Sequence, residues 1–210
     1  MTKTAANNFG LTGVVLAGGL SSRLGTDKAA LMLDGSETLL MRTVKLLLKA
    51  VPKVLVAGRV DAELEALPGV ECIPDNWPGC GPVGGIASAL LHSGTDCLAL
   101  SCDLPFMTGQ VLDKLVASWA SRRPDTLLCA YSQAGTGKTE NLAGIYSQEA
   151  LKLFQDTLAK KLLKISLVIP KEREERLPYD LEESLPFFNI NYPADLMLAR
   201  EYLKLKAAKA

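Results

Sequence analysis

The residues best equipped for chemistry lie in two short stretches. The first is GGLSSRLGTDK, residues 18–28. Gly18 and Gly19 let backbone N–H groups turn toward an anion and let that anion approach the main chain closely. Arg23 brings a planar guanidinium fork suited to phosphate oxygens, and Lys28 a point charge. The second stretch is CDLPF, residues 102–106, in which Asp103 closes an apolar run. One carboxylate there suits Mg²⁺, which takes one or two carboxylates and fills its shell with phosphate oxygens and water. Against these stand plainer readings: a tight turn with solvated charges for the first stretch, and a helix N-cap for Asp103. Thr108, five residues later, is the better cap.

The elements that must carry these residues follow from hydrophobic pattern. Thr12–Leu16 is a short β-branched run that reads as a buried strand, and residues 96–101 (DCLALS) read as another. Between them, apolar spacing predicts a helix over 38–50, a strand over 53–57, a short helix over 61–67, a strand over 70–73 and a helix over 83–92. Further on come a helix over 111–121, strands over 126–131 and 142–146, helical character over 148–163, a strand over 186–190 and a helix opening at Pro193. Strands alternating with helices at this spacing predict an α/β chain with three layers: an open, mostly parallel sheet with helices on both faces. In such sheets ligands bind beyond the carboxyl ends of the strands. Both chemical stretches fall there. At 210 residues one domain is expected, with residues 1–10 a polar, flexible leader.

Two further loops could line the same rim. Residues 74–85 (PDNWPGCGPVGG) place Asp75 just past a strand and crowd glycine and proline before a helix. That crowding suits close approach of a ligand to the backbone, and the helix N-terminus favours an anion or a base. A carboxylate at Asp75 can accept from the amine and imide of guanine. Near the end of the chain, Asn189 and Asn191 precede Pro193 and Asp195, residues that ordinarily open a helix.

Other features carry less. Gly137-Lys138-Thr139 resembles the end of a Walker loop, but its first glycine would stand at 132, which is Ser132. A loop between two strands fits it better. Neither a Walker loop nor G-x-G-x-x-G occurs at residues 18–28. His92, the one histidine, falls at a helix end, which leaves no basis for a Ser-His-Asp triad or a zinc hydrolase. Lys160, Lys161 and Lys164 read as a solvated face, and 171–183 as charged surface loop. With 23 basic and 23 acidic residues there is no field to draw nucleic acid or an anionic membrane. No run is long enough to span a bilayer. Five cysteines without a C-x-x-C pair predict buried thiols in a reducing cytoplasm rather than zinc or disulfides.

Taken together, L-A-G-G-x-S-x-R-x-G-x-D-K over Leu16 to Lys28, C-D-x-P at 102–105, Gly81-Pro82-Val83-Gly84-Gly85 and N-x-N-x-P at 189–193 resemble the MobA-like nucleotidyltransferases. The likeness runs over roughly residues 11–200 and is nearest the family's GTP-using branch, because Gly18-Gly19 stands where cytidylyl-transferring relatives have Ala-Gly. It implies a Rossmann-like nucleotidyltransferase fold and transfer of GMP from GTP to the phosphate of molybdopterin, giving molybdopterin guanine dinucleotide and pyrophosphate. On that resemblance Leu16, Ala17, Gly18, Gly19, Lys28, Asp75 and Asp103 would bind nucleotide. Arg23, Lys28 and Asp103 would be catalytic, Asp103 would hold Mg²⁺, and Gly84, Asn189 and Asn191 would meet the acceptor. The expected partners are GTP, molybdopterin and other cofactor-maturation proteins or apo-molybdoenzymes. Alternatives are cytidylyl transfer to molybdopterin, transfer to a sugar phosphate, or a catalytically silent nucleotide-binding maturation protein.

Overall fold

The structure, a computed structural model, describes residues 10–17 and 28–207. Seven strands form one sheet in the order β3-β2-β1-β4-β6-β5-β7. They are β1 (Thr12–Leu16), β2 (Lys53–Ala57), β3 (Val70–Ile73), β4 (Cys97–Ser101), β5 (Leu128–Gln133), β6 (Thr139–Tyr146) and β7 (Glu174–Tyr179). Every pairing is parallel except the two made by β6, which runs against β4 and β5. The chain builds outward from β1 through β2 to β3, then returns to lay β4 on the other side of β1. That reversal makes the carboxyl ends of β1 and β4 the switch point, where open α/β sheets form a crevice.

Alternation along the strands assigns the helices to faces. Val15, Val54, Val56, Leu98 and Leu100 pack with α1 (Leu39–Ala50) and α4 (Gly109–Ala120). Val14, Leu16, Leu55, Cys97 and Ala99 pack with α3 (Gly81–Ser93) and α5 (Leu151–Ala159). Successive strand residues point to opposite faces, so strands buried at every position are covered on both sides, as β1 and β4 are. The short α2 (Ala62–Glu65) links β2 to β3. Local signals set the helix ends. Thr38 caps α1 by accepting from the Met41 N–H, and Thr108 caps α4 by accepting from Val111. Gly94, at φ 63°, ends α3 in the left-handed region. A last helix, α6 (Pro193–Ala207), contributes Ala199 to a small core with Leu33, Leu39, Phe106 and Ile190.

Two expectations fail. The stretch 171–183 is not simply surface loop: Glu174–Tyr179 is β7, the edge strand, parallel to β5. Its Tyr179 is buried and donates to Glu140 Oε1 at 2.8 Å. The charges and Pro178 that disguise it are what an edge strand tolerates, since one side of it need not pair. Conversely, 186–190 is no strand. Leu185–Phe187 is a 3-10 turn. Its apolar residues serve two different clusters, Phe187 one and Ile190 another. β6 also begins earlier than the pattern implied, at Thr139, across a register shift opposite β5. Gly137 and Lys138 lie in the loop of that hairpin, between two strands as read from sequence, and Thr139 opens β6. No helix among the described residues is long and apolar enough to cross a membrane.

Candidate active site

β4 delivers Asp103 to the switch point. The strand ends at Ser101, and Pro105 keeps the chain from continuing it. Asp103 is 8% exposed. One carboxylate oxygen, Oδ2, receives Lys28 Nζ at 3.1 Å. The other, Oδ1, is buried and has no hydrogen-bond partner among the described residues. A buried carboxylate oxygen left without a donor costs free energy unless something fills the position.

Lys28 reaches this carboxylate from the short 3-10 turn Lys28–Ala30, whose Ala29 is buried in the core beside α1. Its ammonium also donates to Asn191 Oδ1 at 2.8 Å. Ile190 N donates to the Asp103 carbonyl at 3.0 Å. Thus Lys28, Asp103 and Asn191, taken from three distant parts of the sequence, come together. Arg23, Gly18 and Gly19 lie outside the described residues.

Beside this cluster opens a cleft of about 520 Å³, bordered by Leu16, Ala17, Gly58, Asp75, Gly79 and Pro82. Asp75 is held in place: its Oδ1 accepts from Trp77 N at 3.0 Å and from Ser88 Oγ at 3.2 Å. Ser88 Oγ in turn accepts from Asn76 N at 2.9 Å. Asp75 Oδ2 lies toward Gly58, 3.9 Å from where a β-carbon on that residue would stand. Gly58, at φ 76°, adopts a backbone that other residues reach only with strain, and a β-carbon there would press on Asp75 Cβ at 3.3 Å. Ser88 and Gly58 are the residues the sequence reading missed. Gly58 had a signal, a glycine immediately after a strand; Ser88, inside a helix, had none.

Gly84, expected on the acceptor side, lies behind Asp75. It is buried in the first turn of α3, where a β-carbon would stand 2.7 Å from the Trp77 carbonyl and 3.3 Å from Asp75 Oδ1. It backs the Asp75 turn. Asn189 donates its side-chain amide to the Phe187 carbonyl at 3.2 Å and is half-buried. Another cleft of similar size lies beside Lys114, Tyr131, Tyr179 and Phe187, whereas the first is lined by Leu16 and Ala17 at the carboxyl end of β1, next to that of β4. The chemistry favours the cleft at the switch point.

Comparison with known proteins agrees with this geometry. Residues 13–174 match the model of the MobA-like NTP transferase domain. The chain belongs to that family. It is therefore a nucleotidyltransferase. A molybdenum cofactor guanylyltransferase from Rhizobium johnstonii is 32% identical, with 97% of this chain and 98% of that protein covered. A probable molybdenum cofactor guanylyltransferase from Pelotomaculum thermopropionicum is 30% identical over 90% of this chain and 91% of its own length. Among solved structures, molybdopterin-guanine dinucleotide biosynthesis protein A from Archaeoglobus fulgidus superposes with a TM-score of 0.72 at 24% identity. That match covers 92% of this chain and 98% of that one, and it is evidence of the shared fold.

Nucleotidyl transfer of this kind generally uses a divalent metal, and the residues fit one. Asp103 Oδ1 is the orphaned oxygen a cation would satisfy. Among the described residues no three His, Cys, Asp or Glu side chains gather to hold an ion. The protein would then supply one carboxylate, with phosphate oxygens and water as the remaining ligands.

Proposed function

We propose that this protein transfers GMP from GTP to the phosphate of molybdopterin, releasing pyrophosphate, with Mg²⁺ as the metal. The observation that carries the reading is the Asp103 carboxylate at the β1–β4 switch point. One of its oxygens is paired with Lys28 and the other is buried without a donor among the described residues. The names of the relatives supply the acceptor and the base.

The chain's own residues have a limited task. A phosphate monoester is already ionised near neutral pH, its second pKa being about 6, so no strong general base is needed. What remains is in-line placement and neutralisation of charge. Bound at Asp103, Mg²⁺ would polarise the α-phosphate and offset the charge of the triphosphate. Lys28 would hold the departing pyrophosphate, and so would Arg23. Backbone donors of Gly18 and Gly19 would steady the phosphates. The guanine would lie in the cleft beside Leu16 and Ala17, with Asp75 Oδ2 accepting from its amine and imide. Ser88 and Trp77 keep that carboxylate from turning away. Asn189 and Asn191 would border the acceptor, and Gly84, packed behind Asp75, would shape that side of the site.

We further read the chain as one domain acting in the cytoplasm, where its five unbridged cysteines would stay reduced. The test is pyrophosphate release with GTP, Mg²⁺ and molybdopterin, alongside calorimetric titration with GTP, CTP and ATP. Turnover with GTP and tighter binding of GTP than CTP are expected. Preference for CTP would move the protein to cytidylyl transfer. Tight GTP binding with no turnover on molybdopterin or a sugar phosphate would make it a silent nucleotide-binding protein.

A further inference from the structure

Among the described residues, the Lys28 ammonium is held by two unlike oxygens. Asp103 Oδ2, charged, lies at 3.1 Å, and Asn191 Oδ1, neutral, lies at 2.8 Å. Asn191 is itself tied down. Its backbone N–H donates to Asp195 Oδ2 at 2.8 Å, and the same oxygen accepts from Tyr192 N at 2.8 Å. One residue earlier, Ile190 is buried and bonded to the Asp103 carbonyl at 3.0 Å. The opening of α6 is therefore fastened to both members of the Lys28–Asp103 pair.

We propose that Asn191 is a positioning residue for Lys28, its amide oxygen fixing the direction of the ammonium, and that the Asp195 carboxylate fixes Asn191. A lysine carries its charge on a flexible four-carbon stem. Paired with Asp103 alone, the ammonium could sweep an arc about Oδ2. A second acceptor at a fixed point removes that freedom. Its neutrality matters as well: an amide oxygen orients the ammonium without adding a negative charge that would repel the triphosphate. This inference rests on Lys28 handling phosphate as proposed above, but the contact can be measured without turnover.

The test labels lysines with acetic anhydride in nucleotide-free protein and compares acetylation of Lys28 with that of Lys53 by peptide mass spectrometry. Lys53, paired with Glu71 at 2.7 Å on the surface, serves as the internal reference. Asn191→Ala should raise the Lys28-to-Lys53 ratio about threefold or more, the scale of one lost hydrogen bond. Asp195→Ala should raise it less. Asn191→Asp should lower it, because a carboxylate grips the ammonium harder. A general loosening of the fold would not reverse sign between the Ala and Asp variants. In guanylyl transfer, both Asn191 variants should lose about tenfold in kcat while KM for GTP stays within about twofold, the pattern of an interaction made in the transition state. Unchanged labelling ratios would overturn the proposal, and so would shifted ratios with an unchanged kcat. A wild-type protein that transfers nothing from GTP would sink the functional reading instead, leaving the labelling ratios to decide the Lys28–Asn191 contact.

Discussion

Two carboxylates bracket β4, and they are used in opposite ways. Asp96, at the amino end, spends both oxygens on the fold. Its Oδ1 accepts from Gln148 N at 2.9 Å, and its Oδ2 from Trp119 Nε1 and Arg122 Nη2, each at 3.2 Å. Arg122 lies over the Trp119 ring, 3.8 Å from its centre, and the indole is fully buried. Asp103, seven residues on, has one oxygen paired and the other buried without a donor among the described residues. A satisfied carboxylate ties α4 and the start of the 148–159 helical segment to the sheet. An unsatisfied one is a position kept for something that binds. The same residue type at the two ends of one strand thus separates stability from chemistry.

The comparison breaks most decisively at Asp103. Asp103→Ala is expected to lower guanylyl transfer by about 10³-fold or more, the loss of several kcal/mol of charge stabilisation. Its unfolding free energy should stay within about 1 kcal/mol of wild type, because the lost Lys28 pair is offset by removal of the unpartnered buried Oδ1, and Lys28 keeps Asn191 as an acceptor. Steady-state turnover and urea denaturation measured on the same preparation check both halves. An active variant would remove the metal assignment. Lys28→Ala comes next, with an expected loss of about 10²-fold in kcat, typical of removing one charge-stabilising group. Pyrophosphate release is the readout, and an unchanged rate would take Lys28 out of the reaction.

At the other end the expected loss is of stability. Asp96→Ala leaves a buried indole N–H, a backbone N–H and a guanidinium without their acceptor, at a cost of about 2–3 kcal/mol. The urea midpoint should fall accordingly, while KM for GTP in the folded fraction stays put. A loss of nucleotide affinity at unchanged stability would mean that the two ends of β4 are not separable in this way.

How much of this division the sequence carried depends on distance along the chain. The rim itself was legible: β1 and β4 announce themselves as short, largely apolar runs, Asp103 follows the end of one, and Lys28 closes the glycine-rich stretch that follows the other. Asp75 was legible for the same reason. The partners that give these residues their state were not. Asn191 meets Lys28 across 163 residues, and no local pattern encodes such a contact. Asp96 reads as the polar edge of a strand; its role needs Trp119, Arg122 and Gln148, which only the folded chain gathers. Likewise β7 was hidden by Glu174, Glu175, Arg176 and Pro178, side chains that suit an edge strand and spoil an alternating apolar pattern. Gly84 was assigned by motif to the acceptor, whereas its packing against Trp77 explains the absence of a side chain.

That last point sharpens the contrast between support and contact. Gly84→Ala puts a β-carbon 2.7 Å from the Trp77 carbonyl, so the turn that presents Asp75 must shift. KM for GTP should rise about tenfold, with kcat for molybdopterin at saturating GTP nearly unchanged, because the metal-side pair is not touched. A rise confined to the KM of the acceptor would return Gly84 to the acceptor side.

The smallest effect concerns Cys97, the residue after Asp96, and appears only in alkali. Burial, aided by the Asp96 charge, pushes its thiol up from 9.0 to about 12. A thiol whose folded pKa is raised keeps its proton longer in the native state than in the unfolded chain. Its contribution to stability is therefore whole below pH 9 and is lost as pH climbs from there toward 12. Cys129, raised to about 11 by burial, and Tyr131, raised to about 12 by burial, act in the same sense. Urea midpoints should be flat between pH 7 and 8.5 and then fall, with a limiting slope of about 1.4 kcal/mol per pH unit for each such group. Cys97→Ala costs packing at every pH, but its deficit relative to wild type should shrink above pH 9, since one group no longer has to ionise on unfolding. Native-state alkylation gives the independent check: Cys80, half-buried near the nucleotide cleft, should react well before Cys97. If the two react alike, the amino end of β4 is not closed to solvent, and the contrast between the two ends of the strand loses its structural side.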